Sequence, residues 1–226
     1  MKRVTIVTGH YGSGKSEFSI NLALRTVSAE RPVALIDLDV VNPYFRSRER
    51  RGLLEKHAVR VIGNTMGQDV GVDVPAISAE MYGPLQDENT SAIIDAGGDP
   101  VGARVLGSVR HVLPAAEDCE VLCVVNASRP ETQSAEQVIS LIYGIERESG
   151  LRVSALVNNT HMLEQTSAAE LERGYALCCE VGRRLELPTL YHGVLQSLVE
   201  EVPAEWSGEI VPIAMHLREA WMHDAG

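Results

Sequence analysis

The sequence predicts an α/β domain with a doubly wound, mostly parallel sheet and helices on both faces. Three observations support that expectation. Short apolar runs rich in Val and Ile recur along the chain, and longer segments of helical composition separate several of them. A glycine-rich stretch, GHYGSGKS at 9–16, directly follows the first run. Continuous apolar runs suit strands buried on both faces, and strand–helix alternation suits parallel crossovers.

VTIVT at 4–8 reads as the first strand, and EFSINLALRTVSAE at 17–30 as the helix after the glycine-rich stretch. VALID at 33–37, VRVIG at 59–63, AIID at 92–95, VLCVVN at 121–126 and VSALVN at 153–158 continue the sheet, with PTLY at 188–191 a weaker seventh strand. Within 131–149, Val138, Ile142 and Ile145 stand at i, i+4 and i+7, which is one face of a helix. SAAELERGYALCCEVGRRL at 167–185 has helical composition as well. NTMGQDVGVDVP at 64–75 has no period and reads as a mobile loop. No repeat or linker divides the 226 residues, so 1–226 is expected to form one domain.

Composition narrows the function. Hydrophobic residues make up 45% and charged residues 23%, enough for a full core. The net charge of −11 argues against nucleic-acid and anionic-membrane partners, which need clustered positive charge. MKRVTIVTG lacks the longer apolar region of a secretory signal, so a cytoplasmic protein is expected. Cys119, Cys123, Cys178 and Cys179 show no metal-site spacing and are expected to be reduced packing residues. VPIAMHLREAWM puts Ile213, Leu217 and Trp221 at helical spacing, but with a single arginine it suits packing against the body rather than membrane attachment.

Gly9 to Ser16 matches G-x-x-x-x-G-K-[ST] between a strand and a helix, the setting in which this pattern cradles phosphates. Loop amides from Gly9, Gly12, Ser13 and Gly14 can converge on phosphate oxygens, and the following helix adds its positive end. Lys15 would bridge the β- and γ-phosphates, and the Ser16 hydroxyl would ligate Mg²⁺. Only three lysines stand against seventeen arginines, so a lysine at this slot is not compositional drift. Asp37 and Asp39 end the second strand, where one can hold Mg²⁺ through water and the other orient the attacking water. Asp95 ends a later strand as a Walker-B-type Mg²⁺ aspartate, and the backbone of Gly97 or Gly98 can sense the γ-phosphate. Asp99 and Arg104 are either part of the same switch or a surface pair. Guanine-specific relatives use N-K-x-D; the corresponding Asn158-Asn159-Thr160-His161 has neither the Lys nor the Asp, so ATP is favoured, with the Asn158 amide on adenine or merely capping the strand.

Taken together, these motifs resemble the MinD/ParA/CobQ-type ATPases of the SIMIBI class of P-loop proteins. The resemblance implies a doubly wound P-loop NTPase domain, Mg-ATP hydrolysis, and an ATP-dependent homodimer acting on a protein client. It places Lys15 and Ser16 at the phosphate and Mg²⁺ positions, Asp39 at the water-activating position and Asp95 at the Walker-B position. It matches Asn158 to the adenine contact only approximately. Many members carry a second lysine near the front of the loop, where this chain has His10, either a cross-subunit donor or a structural loop residue. Glu17 replaces the hydroxyl residue common after the Mg²⁺ ligand, and its acid is expected to point away from phosphate. Arg46, Arg48, Arg50 and Arg51 offer a substitute cation in trans, or a solvated helix face. The leading functional expectation is an ATPase that switches its contacts with a protein client. The alternative is a small-molecule P-loop enzyme, either a kinase or an ATP-dependent amide ligase.

Overall fold

The computed structural model describes residues 1–28, 31–39, 50–63 and 79–217. Eight strands form one sheet: β1 (Val4–Gly9), β2 (Val33–Asp37), β3 (Val59–Gly63), β4 (Ser91–Asp95), β5 (Cys119–Val125), β6 (Ala155–Asn158), β7 (Thr189–Leu195) and β8 (Glu209–Ile213). Their order is β3-β2-β4-β1-β5-β6-β7-β8, and every neighbouring pair is parallel. Among the described residues, six α-helices accompany them: α1 (Lys15–Thr26), α2 (Arg51–Lys56), α3 (Tyr82–Gln86), α4 (Pro100–Ser108), α5 (Ala135–Ser149) and α6 (Ala168–Leu185).

Alternation along each strand supplies both faces of the sheet. Val4, Ile6, Ile36, Ile94, Cys123 and Val125 pack with Leu106, Ile142, Ile145 and Val181 from α4, α5 and α6. Val7, Leu35, Ile93, Val124 and Val157 pack on the other side with Phe18 and Ile20 of α1 and Leu54 of α2. Helices therefore cover both faces, as the apolar runs required. Because β1 lies between β4 and β5, the chain reverses its direction of winding beside β1. The carboxyl ends of β1, β2, β4, β5 and β6 open onto that crevice, where open α/β sheets bind ligands.

The sequence did not announce every element. β8 (EIVPI) carries Pro212, which fits only because β8 is the sheet's edge. The α4 stretch holds two glycines, and its start is set by Asp99, whose carboxylate caps the Val101 and Gly102 amides, with Pro100 at the first helical position. Ile213 ends β8 and does not begin a helix; it and Leu217 are buried, while Trp221 lies outside the described residues. The loop expected at 64–75 also lies outside them. All four cysteines are free thiols; Cys123 and Cys178 are buried, and burial pushes the Cys123 thiol up to about 12. Cys179 is exposed, so it is not the packing residue expected. Among the described residues, no helix is long and apolar enough to cross a membrane.

α6 approaches β6 closely through Gly174, where a side chain would collide with Thr160 Oγ1 and Asn158 Oδ1. Alanine would raise helix propensity by about 1 kcal/mol, but this collision reaches two buried side chains that cannot swing away. Gly174→Ala is therefore expected to destabilise the fold by about 1–3 kcal/mol, seen as a lower urea midpoint. An unchanged or higher midpoint would refute the close approach.

Candidate functional site

The loop between β1 and α1 is held from outside by two side chains. Asn159 Nδ2 donates to the Ser13 carbonyl at 2.8 Å, and Arg129 Nε donates to the Gly12 carbonyl at 2.8 Å. In a trans peptide the C=O and the following N–H point in opposite directions. Pinning the Ser13 carbonyl outward therefore aims the Gly14 amide inward. Gly14 caps α1 in the left-handed region at φ 83°, and a side chain there would strike Asn159, so glycine is required on two counts. Ser13 N–H closes the loop on the His10 carbonyl at 3.1 Å. The result is a pre-shaped concavity of backbone amides at the N-terminus of a helix, a geometry suited to an anion.

Below the loop lies a buried cluster of charge. Lys15 Nζ meets Asp39 Oδ2 at 2.9 Å, and both side chains are almost wholly buried. Asp37 and Asp95 are register partners on β2 and β4, and Asp39 N–H donates to Asp37 Oδ1 at 3.1 Å. Asp37, Asp39 and Asp95 thus gather near Lys15 among the described residues. Burial pushes Asp95 up to about 7; the Lys15 ammonium opposes this, Asp37 and Asp39 add to it, and the nearby Ser16 hydroxyl favours the charged form. Neither Asp95 oxygen makes a hydrogen bond of full geometry among the described residues, nor does the buried Ser13 hydroxyl. A buried carboxylate left in this condition fits a dication. No three His, Cys, Asp or Glu side chains among the described residues form a protein-only metal cage. Mg²⁺ does not require one, since it retains waters and takes one or two protein ligands alongside phosphate.

The end of β4 is tied to the loop by backbone packing. A side chain on Gly98 would run into the backbone of Gly9, and one on Gly102 would come within 2.6 Å of Gly97 Cα. Thr8 Oγ1 also donates to the Gly97 carbonyl at 3.3 Å. Gly98 therefore rests on the first residue of the loop. Asp99 and Arg104 do not pair with each other: Asp99 caps α4, and Arg104 binds Glu148 of α5 at 3.0 Å.

A cleft of about 330 Å³ runs outward from Gly14, Lys15 and Ser16, with Tyr11, Arg129, His161, Leu163, Met215 and Leu217 along its walls. Here the structure separates residues that the sequence had grouped. Asn158 is turned away from the cleft: its Oδ1 accepts from Thr160 N–H at 3.2 Å, and its amide lies 3.5 Å from His192 Nδ1. Its neighbour Asn159 reaches the loop instead. Glu17 does not face the phosphate cradle. Its carboxylate accepts the His216 amide and, at 3.0 Å, the Leu217 amide, which fixes the segment after β8 against α1. Burial raises the pKa of Glu17, and those two amides and the Arg50 charge oppose the rise. Asn21 extends the same seam, donating to the Ala214 carbonyl at 2.9 Å and accepting its amide at 3.0 Å. His10 stays on its own side of the loop, with Nδ1 3.0 Å from the Tyr11 carbonyl and 3.9 Å from Glu131. Arg51 lies 4.0 Å from Glu55 on the exposed face of α2, and Arg46 and Arg48 fall outside the described residues. The sequence reading missed Arg129 and Asn159, and one signal was available for each. An arginine follows the end of β5, and the second of two asparagines follows β6.

No family model matches the sequence, and no curated protein does. Solved structures do. The signal recognition particle receptor FtsY from Elizabethkingia anophelis, in complex with GDP, superposes with a TM-score of 0.57 at 22% identity, over 86% of this chain and 58% of that one. The cell division protein FtsY from Thermotoga maritima gives 0.58 at 20% identity, over 84% of this chain and 61% of that one. FtsY from Mycoplasma mycoides gives 0.55 at 17%, over 86% and 61%. The chain thus spans about 60% of the length of these neighbours. The likeness is one of fold, an α/β P-loop NTPase-like architecture, and does not single out the MinD/ParA/CobQ type.

The Asp95 environment has a consequence for pH. A carboxyl whose pKa rises on folding, from 3.8 to about 7, binds its proton more tightly in the folded chain. The contribution of Asp95 to stability is therefore fullest below pH about 4 and falls as pH rises toward 7, by up to about 1.4 kcal/mol per unit. In chelator and without nucleotide, Asp95→Asn should flatten that slope, raising the denaturation midpoint at pH 7.5 more than at pH 5. Equal shifts at both pH values would show that Asp95 is not the group responsible.

Proposed function

We propose that this chain, as one nucleotide-binding domain over residues 1–226, is a Mg²⁺-dependent ATPase whose nucleotide state controls its contacts with a protein client. The observation that carries the reading is the buried ion pair between Lys15 and Asp39, 2.9 Å apart. The phosphate-binding lysine is neutralised by an aspartate at the end of β2. An arriving triphosphate competes for that ammonium and releases Asp39 from it. Lys15, the loop amides and the N-terminus of α1 bind the phosphates. Ser16, Asp37 and Asp95 hold Mg²⁺ directly or through water, and the ion supplies charge neutralisation along the phosphates. Asp39, once off Lys15, orients the attacking water. The Gly97–Gly98 backbone, packed on Gly9 and continuous with α4, is the element that transmits occupancy to the surface.

ATP is preferred to GTP in this reading. Counting the N-K-x-D spacing from Asn159 puts Met162, 46% exposed, at the guanine-reading position, and counting from Asn158 puts His161 there. Among the described residues Glu17 is the carboxylate on the cleft wall, and its two oxygens are already turned to the His216 and Leu217 amides. Among the described residues guanine's paired donors would then find no carboxylate already aimed at them, a mismatch that costs about 1–3 kcal/mol.

Lys15→Ala should lose triphosphate affinity by calorimetry, and unchanged binding would end the phosphate-loop reading. Asp39→Ala should keep Mg-ATP binding and lose hydrolysis, and a normal rate of phosphate release would remove Asp39 from its assigned role. In competition for a fluorescent nucleotide, ATP should outperform GTP by about tenfold, the equivalent of about 1.4 kcal/mol. GTP binding as tightly as ATP would overturn the base assignment alone. Light scattering with Mg-ADP and then a non-hydrolysable ATP analogue tests whether a homodimer forms only in the triphosphate state.

A further inference from the structure

Arg129 stands four residues beyond the end of β5, on a turn that is hydrogen-bonded throughout. Asn126 Oδ1 accepts Ser128 N–H at 2.9 Å, the Asn126 carbonyl accepts Arg129 N–H at 3.0 Å and Thr132 Oγ1 at 2.7 Å, and Asn126 Nδ2 donates to the His161 carbonyl at 3.3 Å. A turn so restrained projects its side chain in a fixed direction. The half-buried guanidinium uses Nε on the Gly12 carbonyl, while its two terminal nitrogens make no hydrogen bond among the described residues. It forms part of the cleft wall together with the apolar Leu163, Met215 and Leu217.

Its place along the cleft can be deduced. The loop amides converge on the phosphate cradle, so the loop carbonyls face away from it. Arg129 grips one of those carbonyls and therefore sits beside the cradle, not within it. The phosphate end already has Lys15, and the carboxylate cluster lies beneath the loop. On the cleft wall, beside Leu163, Met215 and Leu217, a planar cation suits the flat face of a base, which points to the nucleoside end. We propose that Arg129 is a nucleoside-contacting residue: tethered to Gly12, its guanidinium forms the surface on which the purine base lies. The proposal rests on the nucleotide-binding reading given above.

Calorimetry separates the two. Mg-ATP and inorganic tripolyphosphate with Mg²⁺ would each be titrated into the wild type, Arg129→Ala and Arg129→Lys. Arg129→Ala also removes the Gly12 tether, so tripolyphosphate should weaken somewhat, while ATP should weaken about tenfold more than tripolyphosphate does; the tripolyphosphate binding that is retained also shows that the variant is folded. Arg129→Lys can still donate to the Gly12 carbonyl but offers no plane for stacking, so its ATP affinity should stay low. Equal losses for both ligands, or recovery of ATP binding by lysine, would mean that Arg129 only braces the loop. No loss for either ligand would also overturn the proposal. A wild type that binds neither ligand would instead refute the phosphate-loop reading itself.

Discussion

Lys15 is buried together with the carboxylates of Asp37, Asp39 and Asp95, and much of the architecture around the crevice follows from that. Burial holds Asp95 well above the ordinary carboxylate range, an effect that the Lys15 ammonium, paired with Asp39, only partly opposes and that Asp37 and Asp39 increase. Burying surplus negative charge costs stability unless something positive arrives. The fold tolerates the cost because the cluster sits at the carboxyl ends of central strands, fixed by register: Asp37 opposite Asp95, with the Leu38 amide on the Asp95 carbonyl at 2.8 Å. On the proposed reading, Mg²⁺ arriving with a polyphosphate would relieve the carboxylates while the phosphates would take the lysine.

The apolar runs made the sheet legible because strands buried on both faces need continuous Val and Ile. The first six runs fall within one or two residues of the observed strands. The elements that escaped were those stabilised by context. β8 survives its proline as an edge strand, α4 depends on the Asp99 cap, and α2 and α3 span only six and five residues. A helix of that length has little periodicity to read and depends on the packing around it.

The site was legible to the same depth. The spacing of Gly9, Lys15 and Ser16, and the aspartates at strand ends, are properties of sequence. Which of two adjacent asparagines faces the loop is a matter of parity at the end of a strand. A one-residue difference sends the side chain to the opposite face. Asn158 turns under α6, against the gap left by Gly174, and Asn159 turns to Ser13. Glu17 depended on something still more remote. Its partners are backbone amides 199 and 200 residues away, brought to α1 by β8, and no local pattern encodes them.

These distant contacts explain why a glycine-rich loop can be shaped before any ligand is present. Left alone, glycines would let the loop sample many conformations, and ordering them would weaken binding. Here the loop is fixed from three directions. Asn159 holds Ser13 from the end of β6, Arg129 holds Gly12 from the end of β5, and the backbone of Gly98 backs Gly9 from the end of β4. Each support comes from a strand flanking the crevice, so the ordering of the loop is achieved by the folding of the sheet. Two supports are side chains and could be lost singly. The third is bare backbone and tolerates no side chain at all. Movement of the segment after β4 must therefore be felt at Gly9, and through it at the phosphate cradle, so a nucleotide switch in this fold would couple at that contact.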